Sequence, residues 1–515
     1  VLLALSFPKY GYAGVAWIAL VPLLLALGGT PTPNAAAPSS RTPRWFALGL
    51  ATGSVYFAGT LYWIVGVLHT YGSLNLAVAI AVTLALVAYL ALFPALFAVI
   101  VGWLVERGGP RAVLIAPGVW VATEFGRGQA LGGFPWVLLG YSQATTLPIA
   151  QLASLVGVYG LSAVVSGVAA AVAFGLLRRG RTLVLSLGAA LLAVAITATW
   201  GARRIADSSL TREGSPVRVG LIQGNIPQDE KWSEARAAGI FETYVSLTRE
   251  AAERGAQFII WPESATPFFF QEDPAGGDQI RRLATETRTT LLFGSDQIES
   301  GTPPRYYNAA FLVDPGGMLL ATYRKVHLVP FGEFVPFKRL LSFVGPLVES
   351  VSDFSAGDEI VMLPVGGHLA STAICYEIVY PALIRQAVEA GSELLTTITN
   401  DAWYGHSSAP YQHFEQAALR AIEEGRYLAR AANTGVSGIV DPYGRVVTRA
   451  TLFERTALVG EARFLTGRTL YGRIGDLVAY VSIVLTVAVA GLLWGVRGRA
   501  GAGPEIGTAS VRRGA

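Results

Sequence analysis

Long apolar runs separated by short basic loops fill residues 1–200, and a last apolar run occupies 476–496. Between them the pattern shortens to the strand and helix periods of a globular domain. A helix rises about 1.5 Å per residue, so roughly 20 apolar residues cross a hydrocarbon core of ~30 Å. The runs predict spans at 13–28, 45–67, 75–104, 112–126, 148–177, 182–200 and 476–496, with 1–6 the stub of one more. The chain opens at Val1 inside that stub, so the first helix reads as truncated. Span 112–126 is short and holds Glu124, which reads as re-entrant or tilted; Pro94 predicts a kink in 75–104.

In the globular stretch, Val217–Gln223 reads as a strand and 233–254 as a helix, with Ile240, Tyr244, Leu247 and Ala251 on one face. Further strands fit 257–261, 289–294, 308–313, 318–322, 369–375, 393–399, 435–440 and 457–461; helices fit 380–390 and 411–431. Asp314-Pro-Gly-Gly and Asp441-Pro-Tyr-Gly mark turns between strands. Strands alternating with helices and broken by hairpins predict an α/β sandwich. The domains then run 1–200 (membrane bundle), 201–475 (catalytic domain), 476–496 (last transmembrane helix) and 497–515 (cytoplasmic tail).

Composition sharpens this division. Of the 515 residues 52% are apolar and only 14% charged, against roughly 25% charged in soluble proteins. The net charge of +4 fits arginine anchoring at a membrane surface better than nucleic-acid binding. Arg41 and Arg44, Arg107 and Arg111, Arg178, Arg179 and Arg181, and Arg497, Arg499, Arg512 and Arg513 all fall on one face by strict alternation. The opposite loops hold only Lys9 and Arg127. The positive-inside rule makes the basic face cytoplasmic and puts 201–475 outside, the periplasmic side of a bacterial inner membrane. Glu124 and Arg127 fall at the outer end of a span, read as an interfacial ion pair or a lipid-headgroup contact.

Three reactive residues end predicted strands: Glu263 after Ile-Ile-Trp-Pro, Lys325 after Ala-Thr-Tyr-Arg, and Cys375, the sole cysteine, after Ser-Thr-Ala-Ile. A single cysteine excludes an internal disulfide and a cysteine-based metal site. Taken singly these are a turn carboxylate, a surface ammonium and a core thiol. Together they form a machine for acyl transfer. The carboxylate takes the thiol proton, the thiolate attacks an acyl carbonyl, and the ammonium stabilises both thiolate and oxyanion. An ammonium lowering the thiol pKa predicts fast alkylation near neutral pH. The Tyr376 N–H, just after the nucleophile, is a natural second oxyanion donor. The five histidines (His69, His327, His368, His406, His413) show no metal-ligand spacing and read as structural or surface groups. No metal or dissociable cofactor is indicated.

Trp261-Pro-Glu263, then Tyr323-Arg-Lys-Val-His-Leu-Val-Pro-Phe-Gly-Glu333, then Ile374-Cys-Tyr-Glu377 resemble the nitrilase and amidase superfamily, with steps of 62 and 50 positions from one reactive group to the next. Gln223-Gly-Asn-Ile-Pro-Gln with Lys231-Trp232, Val326–Pro336 and Thr399-Asn-Asp-Ala-Trp-Tyr-Gly405 make the finer resemblance to the apolipoprotein N-acyltransferase family, over nearly the whole chain. Tyr404 departs from the Phe more usual there.

The resemblance implies a nitrilase-like α-β-β-α sandwich joined to an α-helical transmembrane bundle of about eight spans. It implies Glu263 as base, Lys325 as oxyanion and thiolate stabiliser, and Cys375 as nucleophile, with support from Trp232, Glu333, Tyr376 and Glu377. Glu333 would hold the lysine. Glu377 would orient the same lysine or the incoming amine. Trp232 and Trp403 would line the cleft, and Asn308 would hydrogen-bond near the site. The implied substrates are a phospholipid acyl donor in the bilayer and a diacylglyceryl-modified apolipoprotein acceptor. Two other readings stand beside this one: a membrane-tethered amidase or nitrilase that passes the acyl group to water, and a non-catalytic lipid- or lipoprotein-binding module. Phe268–Phe270 and 334–348 are expected to form apolar lids that admit acyl chains.

Overall fold

The structure, a computed structural model, describes residues 1–29, 41–72, 74–330, 332–334 and 353–500. Twelve strands form two six-stranded sheets. The first sheet runs β12 (Thr456–Phe464), β1 (Ser215–Gln223), β2 (Phe258–Ile260), β3 (Thr290–Glu299), β4 (Arg305–Val313), β5 (Leu319–Arg324). The second runs β11 (Val446–Arg449), β10 (Gly438–Val440), β9 (Leu428–Ala432), β8 (Leu394–Thr399), β7 (His368–Ile374), β6 (Leu363–Val365). Each has a parallel centre, β1–β2–β3 and β7–β8–β9, flanked by antiparallel strands.

The period of two in the strands sorts their side chains into layers. Val219, Leu221 and Ile260 face Ile374, Ile398 and Ala429 between the sheets. Ile222, Ile259 and Phe293 face the other way, against Ile240, Tyr244 and Leu283 of helices Glu234–Glu253 and Pro274–Thr287. Helices Pro381–Glu389 and Ala409–Glu424 cover the second sheet, and their apolar residues join the core of the membrane bundle. The architecture is therefore α-β-β-α, with one helical layer shared with the bundle.

The 411–431 helix expected from sequence is corrected. The helix ends at Glu424, Gly425 takes a left-handed φ of 62°, and Leu428–Ala432 continues as fully buried β9, parallel to β8.

The helical bundle expected from sequence is present, with four to five candidate spans by length and composition among the described residues. Among the described residues four helices are long and apolar enough to cross a membrane: Leu76–Gly108, Ala153–Arg178, Gly180–Thr211 and Leu477–Trp494. Thr42–Leu61 and Trp63–Thr70 make a fifth if their 55° bend lies within one span. The 13–28 run is broken into Ala13–Ala19 and Val21–Gly28, with Pro22 opening the second piece. The 112–126 run is a short 3₁₀ turn followed by the 14-residue helix Ala116–Gln129. The apolar fragment at the chain start is the four-residue helix Leu2–Leu5.

The ends of the bundle differ. Arg107 stacks on Trp103 and Trp494, and a Cβ on Gly28 would meet Leu177 and Val113, so Arg107, Arg111 and Arg178–Arg181 gather at one end. The other end docks on the sandwich. Tyr71 donates to the Ala402 carbonyl at 3.1 Å, and Ser408 N donates to Tyr62 at 3.2 Å. Helix Ala153–Arg178 breaks at Gly157 (φ 66°), and the freed Val158 amide donates to Glu423 of the catalytic domain at 2.7 Å.

Candidate active site

The carboxyl ends of parallel strands converge at one rim, where α/β sheets place reactive groups. Glu263 lies three residues past β2, Cys375 directly after β7, Asn400 directly after β8, and Lys325 directly after the edge strand β5.

Cys375 sits at φ 54°, between β7 and the 3₁₀ turn Cys375–Val379. A non-glycine residue with positive φ is strained and needs its surroundings to hold it. Glu377 supplies much of that hold. Its Oε2 accepts from Ile374 N at 2.7 Å, and its Oε1 accepts from Val326 N at 2.7 Å and His327 N at 3.0 Å. Tyr323 donates to the same carboxylate at 2.9 Å. Glu377 thus ties the strand end before the nucleophile to the segment after Lys325. Its hydrogen bonds go to the main chain on both sides and to Tyr323, where the expectation had it orient the lysine or the incoming amine. Burial pushes its carboxyl up to about 7, opposed by Lys325 and by these donors.

Lys325 is 1% exposed. Its ammonium donates to Glu333 Oε1 at 2.8 Å and lies 3.7 Å from Glu263 Oε1. Burial alone would lower its pKa, but the carboxylates of Glu333 and Glu263 outweigh it and hold the group protonated. Asn308 bridges the two carboxylates, donating to Glu263 Oε1 at 2.7 Å and Glu333 Oε1 at 2.9 Å. The remaining Glu263 oxygen accepts the Asn400 amide at 2.8 Å. The carboxylate is aimed by fixed donors, and a Cβ on Gly294 would strike the Glu263 Cα at 2.7 Å, so the base loop is clamped from behind as well.

The thiol departs from expectation. Burial and then Glu263 raise the pKa of Cys375, and the opposing field of Lys325 is smaller. The resting sulfur is a neutral, 7%-exposed thiol. Proton removal therefore falls to a base during the reaction rather than to the ammonium beforehand.

Tyr376 and Tyr380 turn toward the membrane bundle. The Tyr376 ring stacks on Trp136 at 6.1 Å and 18°, and Tyr380 donates to the Gly133 carbonyl at 2.9 Å. The Tyr376 N–H falls in the first turn of a 3₁₀ helix, where amides lack an intrahelical acceptor. Trp136 donates to Gln412 at 2.8 Å, and Trp63, Tyr404 and His413 complete an aromatic patch around it. Trp232 and Trp403 are 50% and 38% exposed, so neither is core packing, and Trp403 packs edge-on against Tyr71.

Two other expectations change here. Arg127 and Glu124 are buried within protein. Arg127 donates to the carbonyls of Phe134 and Trp136, both at 2.8 Å, and Glu124 accepts the Leu139 amide at 2.7 Å. They fix the segment beneath Tyr376 rather than forming an interfacial pair. Phe268 packs on Phe241, and Phe270 on Phe293 and Phe311, so these rings are domain core and not a lid. The second expected lid, 334–348, lies outside the described residues apart from Phe334.

Three residues near the site escaped the sequence reading. His413 lies 3.1 Å from the Cys375 carbonyl and 3.0 Å from Asp401. Asp401 in turn pairs with Arg430 at 2.7 Å, all buried. Burial lowers the His413 pKa, as does Arg430. Lys231, 6% exposed, donates to the main-chain carbonyl of Glu263 at 3.1 Å. Asp401 lies in the Thr399–Gly405 motif and Lys231 in Lys231-Trp232, so their positions in the sequence carried a signal that their side-chain partners did not.

A family model described as carbon-nitrogen hydrolase matches residues 218–466, and one described as apolipoprotein N-acyltransferase N-terminal domain matches residues 1–171. Proteins named apolipoprotein N-acyltransferase are similar over nearly the full length. That of Geobacter metallireducens is 41% identical, covering 96% of this chain and 93% of its own. That of Methylococcus capsulatus is 38% identical, covering 97% and 95%, and that of Gloeobacter violaceus 36%, covering 96% and 92%.

Proposed function

Since the chain belongs to the apolipoprotein N-acyltransferase family, we propose that it moves a fatty acyl chain from a membrane phospholipid to the α-amino group of a diacylglyceryl-modified N-terminal cysteine, through a thioester on Cys375. It is a membrane-associated acyltransferase with a carbon-nitrogen hydrolase domain. In the first half-reaction Glu263 takes the Cys375 proton as sulfur attacks the donor's ester carbonyl. The oxyanion is stabilised by the Lys325 ammonium and the Tyr376 N–H. Collapse breaks the ester bond, and the departing alkoxide takes the proton from Glu263 and leaves as lysophospholipid. In the second, the acceptor amine attacks the thioester, Glu263 receives the amine proton, and the thiolate leaves and is reprotonated. Glu333 and Asn308 hold base and ammonium together, Glu377 braces the elbow, and Trp232 and Trp403 offer exposed aromatic surface to lipid.

One observation carries this reading over a water-using amidase. The elbow after Cys375 packs on the membrane bundle, through Trp136 on Tyr376 and the Gly133 carbonyl on Tyr380. A nucleophile beside the bilayer suits substrates that live in it. Enzyme acylated with phospholipid and then chased with a diacylglyceryl-cysteine peptide should yield N-acylated peptide, and water alone should clear the enzyme slowly. Equal clearance by both, with free fatty acid as the product, would favour the hydrolase.

The catalytic domain is proposed to face the periplasm across a bacterial inner membrane. The arginines gathered at the opposite end of the bundle support this under the positive-inside rule. A reporter that works only in the periplasm should be active when fused after Gly214; activity of a cytoplasm-only reporter there would reverse the orientation.

A further inference from the structure

Lys231 is the second buried ammonium at the site, and the acyl-transfer chemistry does not use it. It follows the partly buried loop that starts after β1, and Trp232, next in sequence, is half exposed. Its own side chain turns inward, is 6% exposed, and donates to the Glu263 carbonyl at 3.1 Å. A buried lysine is costly unless paired and hydrogen-bonded. Here the compensation comes from the base itself, since Glu263, Asp296 and Cys375 all lie in its field. The base loop is otherwise strained. Ser264, directly after Glu263, holds φ 43°, and its hydroxyl donates to Asp296 at 2.8 Å.

The same loop reaches the base by a second route. Gln228 accepts from the Asn400 side chain at 2.6 Å, and the Asn400 amide donates to Glu263 Oε2. The loop beside the exposed Trp232 therefore touches both the main chain and, through Asn400, the carboxylate of Glu263.

We propose that Lys231 is a positioning residue for the general base: it pins the Glu263 carbonyl so that the carboxylate faces the thiol. This rests on the thioester reading above and extends it to a residue outside the Glu–Lys–Cys set. Burial lowers the Lys231 pKa, opposed by Glu263 and Asp296, and loss of hydration raises Asp296 to about 6. The other groups facing Glu263 are Lys325, Asn308, Asn400 and Tyr404, with Glu333 beyond Asn308.

The test uses the full-length protein in detergent with phospholipid vesicles, reading the rate of Cys375 acyl-adduct formation. Lys231→Met keeps most of the side-chain length and removes the donor to the Glu263 carbonyl. It should slow adduct formation about 10- to 100-fold. Lys231→Arg keeps a donor within reach of that carbonyl and should recover at least part of the rate. Thermal melts of both variants separate misfolding from misplacement, since a merely structural lysine would lose rate only where the melt falls. A wild-type rate in Lys231→Met, or a loss that Lys231→Arg does not recover at all despite a wild-type melt, overturns the proposal. Wild-type protein that forms no adduct under the same conditions would instead overturn the thioester reading on which it rests.

Discussion

Glu263→Gln is expected to slow acylation of Cys375 by about 10²- to 10⁴-fold, the range a positioned general base contributes. The argument rests on the state of the thiol. Burial and the Glu263 charge raise its pKa, with Lys325 only partly offsetting them, so almost no thiolate is present near neutral pH. Attack therefore waits for a base in contact, and the amide cannot serve. The substitution is close to isosteric. Glu263 Oε1 accepts from Asn308 and Oε2 from the Asn400 amide, so one of these contacts becomes a donor facing a donor. That defect costs about 1–3 kcal/mol of stability, too little to unfold the domain. Rapid mixing with phospholipid and mass detection of the adduct would measure the rate. A less than threefold loss would mean that the thiol ionises without Glu263. The same neutral, buried sulfur should alkylate with iodoacetamide more slowly than an exposed cysteine at pH 7, and faster as pH rises.

The second large effect is on the elbow. Glu377→Ala removes the acceptor of three main-chain amides, Ile374, Val326 and His327, and of the Tyr323 hydroxyl. All lie at or beside a 0%-exposed carboxylate, so water reaches them poorly. At about 1–3 kcal/mol for each unsatisfied buried donor, the loss should be about 3 kcal/mol or more. That corresponds to a drop in Tm of roughly 6–12 °C for a domain of this size. Activity should fall by about 10²-fold or more, because Cys375 at φ 54° depends on its neighbours to stay in place. Glu377→Gln should recover only part of this, since its NH₂ must face either Ile374 N or the pair Val326 N and His327 N. A melt and an acylation rate for each variant would check it. A wild-type melt for Glu377→Ala would mean that the elbow is held by something else.

The reactive triad was legible because each member ends a strand whose apolar run is short and bounded, and strand ends meet at a rim. Glu333 and Asn308 were legible through the family resemblance, one in the motif after Lys325 and one within β4. What sequence could not show is who touches whom across the fold. Lys231 entered the sequence analysis only as part of the Lys231-Trp232 motif, and its close approach to Glu263 is seen only in the fold. His413 looks like any residue of a buried helix face until its contact with the Cys375 carbonyl is seen.

The misread of 411–431 has a similar cause. Ala, Leu, Arg and Glu favour helix, and one Gly costs about 1 kcal/mol, so local propensity runs on past Gly425. The pairing of β9 with β8 and the buried Arg430–Asp401 ion pair decide otherwise. Hydropathy registers apolar runs and not their breaks, so runs that are bent or split in the fold pass a length-and-composition test less clearly. The interruption at Leu20 and the burial of Glu124 and Arg127 inside protein are tertiary facts.

The central claim is a covalent acyl-enzyme on the single cysteine. Intact-protein mass spectrometry after incubation with phospholipid alone tests it most directly, because the first half-reaction needs no acceptor. The account predicts a gain of one fatty acyl mass on wild-type protein, removed by neutral hydroxylamine as a thioester is and an amide is not, and absent from Cys375→Ala. Acyl transfer by Cys375→Ala at the wild-type rate, or an adduct that survives hydroxylamine and maps to another residue, would contradict it.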